Sequence, residues 1–340
     1  NADGSITFKP LKQFTGKATP VTVKRVDANG TEVTATYTPN VTKVTPTSTP
    51  ATSSGPQGVP QTGTPVFKEG DPAVPIDYNK QMTFDDDQPK KTVAGVGEYT
   101  INSDGSITFT PDKKYVGTPA AVTVKRVDEN GTEIRATYTP TVTEVTPRST
   151  NAESSGLQGQ PQSGKPTFTP GDKAVPIDMA QPMTFEDNQT TKKVDKVGTY
   201  VIESDGTITF TPDKQYVGTP SPVTVKRVDT NGTEVTATYT PTVTRVTPTS
   251  TNAESTGLQG QPQSGKPTFS PGDQQIPIDM SKAMTFENGT DTLVVADQGT
   301  YTINSDGSIT FKPEKKFTGK ATPVKVKRVD TNGTEVTATY

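Results

Sequence analysis

Four segments of this 340-residue chain read Asp-x-Asn-Gly-Thr-Glu, beginning at Asp27, Asp128, Asp229 and Asp330. Oxygen side chains at alternate positions open calcium loops, so Asp128, Asn130 and Glu133 could start a cation site. The run falls short of the twelve-residue EF-hand pattern, however, and Asn-Gly is what a hairpin turn uses to reach positive φ. The turn is the weightier reading. Acidic groups at Asp85-Asp86-Asp87, Glu186-Asp187, and Glu287 with Asp291 follow each Met-Thr-Phe triplet and could also chelate, but their composition changes from copy to copy, as a solvated loop allows. The basic pairs Lys125-Arg126, Lys226-Arg227 and Lys327-Arg328 could meet an anionic glycan, or could guard strand edges against aggregation. A Lys-Asn isopeptide cross-link needs a buried Lys, Asn and acid together, whereas the Asn residues here fall mostly at turns. The sequons at Asn130, Asn231 and Asn332 also sit at turns and matter only in a glycosylating host.

With no Cys and no His, the chain lacks thiolate chemistry, disulfides, zinc-thiolate sites and the usual general base. Paired carboxylates for glycoside hydrolysis would need a pocket, for which a small thin-cored module offers little room. No enzymatic activity is therefore expected, and no catalytic, cofactor-binding or metal residue is assigned. A net charge of −3, from 34 basic and 37 acidic residues, leaves no footprint for nucleic acid. No run approaches the ~18 apolar residues of a membrane span.

Whatever these residues do, a repeat positions them. Asp3-Gly4, Asp104-Gly105, Asp205-Gly206 and Asp306-Gly307 are each 101 apart, as are Met82, Met183 and Met284. Residues 104–150 and 205–251 share 38 of 47 positions, too close for copies with separate activities. Residues 1–37 repeat 304–340 with five substitutions. If the Pro/Gly/Ser/Thr-rich stretches near Pro46 to Ser54 and their copies are junctions, the chain comprises residues 1–46 as the C-terminal part of a repeat, full repeats at 54–147 and 155–248, and a repeat at 256–340 without its last segment. Residues 1–46 can form hairpin strands but no closed core, and are expected to be the least ordered part.

Within 54–147, Tyr99 and Ile101 alternate with polar residues, Ser103-Asp104-Gly105 turns, and Ile107 and Phe109 return: a hairpin. Val122 and Val124 lead through Asn130-Gly131 to Ile134, Ala136 and Tyr138, a second hairpin, with a bulge or a strand crossing between faces expected at Lys125-Arg126 where the two-residue period breaks. Shorter strands are expected at 64–67, 74–76 and 81–84. No helical period appears anywhere. About seven strands per repeat predict an all-β fold: a tandem array of ~100-residue β-sandwich modules, immunoglobulin-like in size and joined end to end. The candidate core is Phe84, Tyr99, Ile101, Ile107, Phe109, Val116, Val122, Val124, Ile134, Ala136, Tyr138 and Val142. Such a thin core predicts marginal stability, ~5 kcal/mol or below per repeat.

The segments G-x-Y-x-I-x-x-D-G-x-I-T-F-T-P, Y-V-G-T-P, V-T-V-K-R-V-D-x-N-G-T-E and A-T-Y-T-P-T-V, with the Q-G-x-x-Q-x-G-x-P opening at Gln57, Gln158 and Gln259, resemble the CshA-type fibril repeats of streptococcal cell-wall-anchored surface adhesins. The resemblance covers all three modules and the part-module. It implies an extracellular, cell-surface location, with cell-wall attachment in the parent protein, and a place in the shaft of a fibril between a distal ligand-binding region and a wall anchor. Two functions follow. One is a structural stalk whose partners are neighbouring repeats of the same chain. The other is a multivalent array in which each repeat weakly binds a host extracellular-matrix protein or glycan. The same repeats on other chains are a further candidate partner, through exposed strand edges. An exposed aromatic or Arg cluster in every copy would favour binding, and Tyr115, Tyr216 and Phe317 are the candidates, though each is expected to pack on its hairpin.

Overall fold

The computed structural model describes residues 1–340, and every regular element in it is a β-strand. The chain divides into two compact units: Asn1–Pro147 with Thr169–Asp178 and Val228–Thr233, and Arg148–Phe168 with Met179–Arg227 and Glu234–Tyr340. The repeat at 54–147 lies in the first unit and that at 256–340 in the second.

In the first full repeat the strands are β1 (Thr47–Thr49), β2 (Ala51–Pro56), β3 (Gln61–Gly63), β4 (Val66–Lys68), β5 (Thr83–Phe84), β6 (Lys90–Val93), β7 (Gly97–Ile101), β8 (Ile107–Pro111), β9 (Val122–Val127) and β10 (Glu133–Thr143). One sheet runs β6-β7-β8-β3, all antiparallel. The other runs β2-β10-β9-β5, in which β2 and β10 are parallel. β1 pairs with β4 as a separate ribbon. The repeat is thus a β-sandwich with more strands than the seven expected, because several are only two or three residues long. The repeat at 256–340 keeps the first sheet in full, as Gln263–Gly265, Ile309–Pro313, Gly299–Ile303 and Thr292–Val295.

The stretch from Pro46 to Ser54, which composition marks as a junction, is largely strand, in β1 and β2. β2 is the parallel neighbour of β10, in register from Tyr138↔Ala51 to Thr143↔Pro56. Ser, Thr and Gly suit this edge position: Ala51 packs into the core, the inward Ser53 hydroxyl bonds Tyr138 and Gln61, and Thr52 and its like on the other face are solvated.

Both expected hairpins are present. β7 and β8 pair from Gly97↔Pro111 to Ile101↔Ile107, and β9 and β10 from Val122↔Tyr138 to Val127↔Glu133. The second register is unbroken, so the expected bulge at Lys125-Arg126 is absent. The apolar period breaks there because Arg126 occupies the position in line with Val122 and Val124. Its guanidinium lies 6.0 Å from the Phe67 ring and 4.9 Å from the Tyr78 ring, closing the end of the core with a stacked cation.

The sandwich closes on Phe84, Tyr99, Ile107, Phe109, Val124 and Tyr138, none of which has accessible surface. Tyr99 from the first sheet meets Phe84 and Tyr138 of the second edge-on, with ring centroids 6.4 and 6.2 Å apart. Two corrections to the candidate core follow. Val116 is 44% exposed, because the turn places Tyr115, not Val116, against the core. Ile76, Met82, Phe67 and Ala51, from the less legible first half and the supposed spacer, are buried. Residues 1–46 hold the hairpin Val21–Val26 with Glu32–Tyr37, but Val21, Val23, Val26 and Val33 all remain exposed.

Candidate functional site

The residues with chemical potential are mostly spent on local structure. Asp128 is only 1% exposed, and its Oδ1 accepts the N–H of Thr132 at 2.8 Å. The Gly131 N–H closes the turn on the Asp128 carbonyl at 2.9 Å, with φ +83° at Gly131. The Asp-x-Asn-Gly segment is therefore a side-chain-braced hairpin turn. The same device holds the Asp104 turn: the Ser106 hydroxyl at 2.6 Å and its N–H at 2.9 Å donate to the carboxylate and hold its pKa below the usual range.

In the acidic cluster, Asp85 accepts from Lys91 Nζ at 2.6 Å, which lowers its pKa, and Asp87 pairs with Lys125 at 2.6 Å. Glu287 pairs with Lys325 at 3.4 Å. No three acidic side chains converge as a cation site would need. The basic pairs are engaged as well. Arg126, Arg227 and Arg328 each donate to a carbonyl of the preceding loop, that of Lys80, Gln181 or Lys282, at 3.2–3.3 Å. Lys226 and Lys327 face Glu234 and Glu335 across the strand pair, at 3.7 and 3.3 Å. Tyr115, Tyr216 and Phe317 pack against their cores. What does recur at the surface is one apolar side chain per repeat, Tyr78, Met179 or Met280, each about 70% exposed.

Sequence reasoning registered the Gln-Gly-x-x-Gln opening as a motif and missed its role. Tyr138 Oη and Ser53 Oγ lie 2.6 Å apart, and Ser53 donates to Gln61 Oε1 at 2.6 Å. Ser53 has one proton, so Tyr138 is the donor in the first bond. Gln61 Nε2 then donates to the Thr141 carbonyl at 3.1 Å, on β10. The chain recurs as Tyr239, Ser154, Gln162 and Thr242. It contains no ionisable member at neutral pH, and it ties β2, β3 and β10 together rather than moving a proton. Gln57 adds a second tie: its Nε2 donates to the Lys113 carbonyl at 2.9 Å, and its Oε1 accepts from Val145 N. A polar residue eight positions after a serine leaves no periodic signature, so only the fold exposes the pair.

The Tyr99 hydroxyl is buried without a partner. Burial, with the neighbouring Tyr138 and Tyr115 adding to it, pushes its pKa up to about 12. An unfolded tyrosine ionises near pH 10. Between about pH 10 and 12 the unfolded state therefore gains charge that the folded repeat refuses, and stability falls as pH rises through that window. Tyr99 alone should cost the folded repeat about 2–3 kcal/mol across it, because each tenfold change in proton activity is worth ~1.4 kcal/mol. Denaturant unfolding followed from pH 8 to 12 should show this decline, with a shallower slope in Tyr99→Phe. Equal slopes in the two proteins would rule out Tyr99 as the source.

Sequence comparison completes the assignment. The family described as "Surface adhesin CshA repetitive domain" matches residues 1–41, 43–142, 144–243 and 245–340. No curated protein matches the chain. Among solved structures, the chain is similar to the NMR structure of repeat domain 13 of the fibrillar adhesin CshA from Streptococcus gordonii, at 58% identity over 21% of this chain and 90% of that one, with a TM-score of 0.14. It is also similar to the I9–I11 tandem of titin, at 12% identity over 87% and 97% of the two chains with a TM-score of 0.29. A third likeness is to mouse cadherin-23 EC22–24, at 13% identity over 87% and 97% with a TM-score of 0.33. Matched along almost its whole length, the chain belongs to the CshA repeat family of surface adhesins, a family of extracellular, cell-surface repeats.

Proposed function

We propose that these repeats form the extended stalk, or fibril shaft, of a bacterial surface adhesin, projecting a distal binding region from the cell wall to which the parent protein is attached. The observation that carries this reading is where the recurrent side chains go. Acids, arginines, glutamines and aromatics that repeat every 101 residues are used inside the repeat, on turns, ion pairs, carbonyls and the core. A surface selected for binding would instead present a recurrent cluster of aromatic or Arg side chains. The one exposed apolar side chain that recurs, Tyr78, Met179 or Met280, is too small a patch for that role. The role is mechanical and non-enzymatic, and reach is set by the number of copies. The repeats at 54–147, 155–248 and 256–340 are the units of length, and residues 1–46 belong to one more.

Small-angle X-ray scattering tests the reading on in-phase variants, one lacking residues 155–255 and one carrying that segment twice. The maximum dimension should change by a fixed step of roughly 40 Å per repeat, the length of a sandwich of ~9-residue strands with loops at both ends. A compact profile insensitive to copy number would overturn it. Surface capture of a host matrix protein, growing with copy number, would favour the multivalent alternative.

A further inference from the structure

The Asp-x-Asn-Gly turns do more than reverse the chain. In the second unit, Asn332 is 6% exposed, and its Nδ2 donates to the carbonyl of Gln158, 174 residues earlier, at 2.7 Å. In the first unit, Asn231 is 7% exposed and donates in the same way to the Gln57 carbonyl at 2.8 Å. The backbone of each turn is gripped too. Lys214 donates to the Thr331 carbonyl at 3.2 Å, and Gln215 to the Asn332 carbonyl. Lys113 and Lys114 donate to the Thr230 and Gly232 carbonyls at 2.8 and 2.6 Å. The receiving loop is shaped for the asparagine: at Gly58 and Gly159, with φ +74° and +76°, a Cβ would stand 2.1 Å from the Asn231 or Asn332 Oδ1. Only glycine fits there.

We propose that the Asp-x-Asn-Gly turn is the plug of an inter-repeat clasp, and that the Gln-Gly loop with the Lys-Lys or Lys-Gln pair of the preceding repeat is its socket. The partner it fits is the next copy of this repeat. The chemistry supports selectivity. A primary amide satisfies a buried backbone carbonyl without bringing in charge, and an unmade bond at that site would leave two buried polar groups unpaired. The lysines and Gln215 cap carbonyls that a tight turn cannot satisfy internally. Such a clasp restricts hinge motion between consecutive repeats without a large apolar interface, and the Asn231 and Asn332 sequons become unavailable while it is closed. This rests on the stalk reading for its purpose, since a clasp stiffens what would otherwise be a string of free modules.

Asn130 is an internal control. It stands in the same turn, and Lys12 donates to the neighbouring Glu129 carbonyl at 2.9 Å, but no Gln-Gly loop receives its amide. Asn-Gly deamidates when the glycine nitrogen attacks Asn Cγ, ammonia leaves, and water opens the resulting succinimide to Asp or isoAsp. An amide held in a socket cannot reach that geometry. Mass spectrometry on the aged full chain should find Asn231 and Asn332 converting at least about tenfold more slowly than Asn130. Gly159→Ala should raise the Asn332 rate to that of Asn130 and leave Asn231 unchanged. Equal rates at all three in the unmodified chain would overturn the proposal.

Should Gly159→Ala unfold its repeat, Gln215→Ala is the milder variant, read by distance. The chain has no cysteine, so Lys193→Cys with Val294→Cys places one spin label on each of two consecutive repeats at equivalent exposed positions. A narrow distance distribution that broadens in Gln215→Ala supports the clasp, and one already broad in the parent pair overturns it. Scattering separates the two readings. A narrow distribution with a compact particle leaves the clasp and sinks the stalk, whereas a broad distribution with length scaling by copy number does the reverse.

Discussion

Phe109→Ala is expected to unfold the repeat at 54–147 while the repeat at 256–340 stays folded. Phe109 has no accessible surface and lies directly across the strand pair from Tyr99, ring centroids 4.5 Å apart. Truncating a buried phenylalanine costs about 3–5 kcal/mol, since the lost transfer energy is compounded by a cavity the sandwich cannot collapse around. Against a repeat stability of ~5 kcal/mol or below, that consumes most of the margin. Peptide-resolved hydrogen exchange on the intact chain should show protection lost across Gly97–Ile101 and Ile107–Pro111 and retained across Gly299–Ile303 and Ile309–Pro313. Val116→Ala is the matched control. Its side chain is exposed, so the change should stay within about 0.5 kcal/mol. Retained protection in Phe109→Ala would mean that the core is far more robust than its dozen or so apolar side chains imply.

Gly97→Ala should be nearly as damaging, for a different reason. Gly97 has φ +147°, and a Cβ there would stand 2.3 Å from the Thr110 carbonyl oxygen and 2.8 Å from Pro111 Cα. Both atoms are backbone of the paired strand, in register at Gly97↔Pro111, so neither can turn aside. The hairpin must open, at an expected cost of about 3 kcal/mol or more. Gly95 tests the explanation. It has φ +71° with open space around its Cβ position, so Gly95→Ala carries only the left-handed penalty of about 1–2 kcal/mol. Thermal unfolding of the two variants should rank Gly97→Ala well below Gly95→Ala. A comparable loss in Gly198→Ala would show that the close approach is a property of the repeat, as the identical 2.3 Å distance to Thr211 O implies.

Much of this molecule was legible in its sequence, and the illegible parts share a cause. Hairpins announce themselves through local signals, alternation and a turn residue within about fifteen positions. Tyr99 to Phe109 and Val122 to Tyr138 were accordingly found with their inward faces correctly assigned. The parallel pairing of Ala51–Pro56 with Glu133–Thr143 joins residues more than eighty positions apart, and the first of these strands consists of Ala, Ser, Thr, Gly and Pro, which read as spacer. Arg126 broke the apolar period because a stacked guanidinium replaced a hydrophobic residue. The Ser53, Gln61 and Tyr138 chain has no period at all.

The amino-acid sequence alone determined the repeat length, the all-β class, the two hairpins, most of the core and the family, because near-identity at a fixed spacing and strand alternation are properties of the chain itself. Tertiary structure decided which Gln residues are buried and which Ser residues bond them, that the apparent spacers are strands, that Arg126 faces inward, and that the Asn-Gly turns meet a loop 174 residues away. Those outcomes depend on which backbone groups must find partners once distant strands are brought side by side, and unsatisfied polar groups carry no mark in a sequence until the fold has placed them.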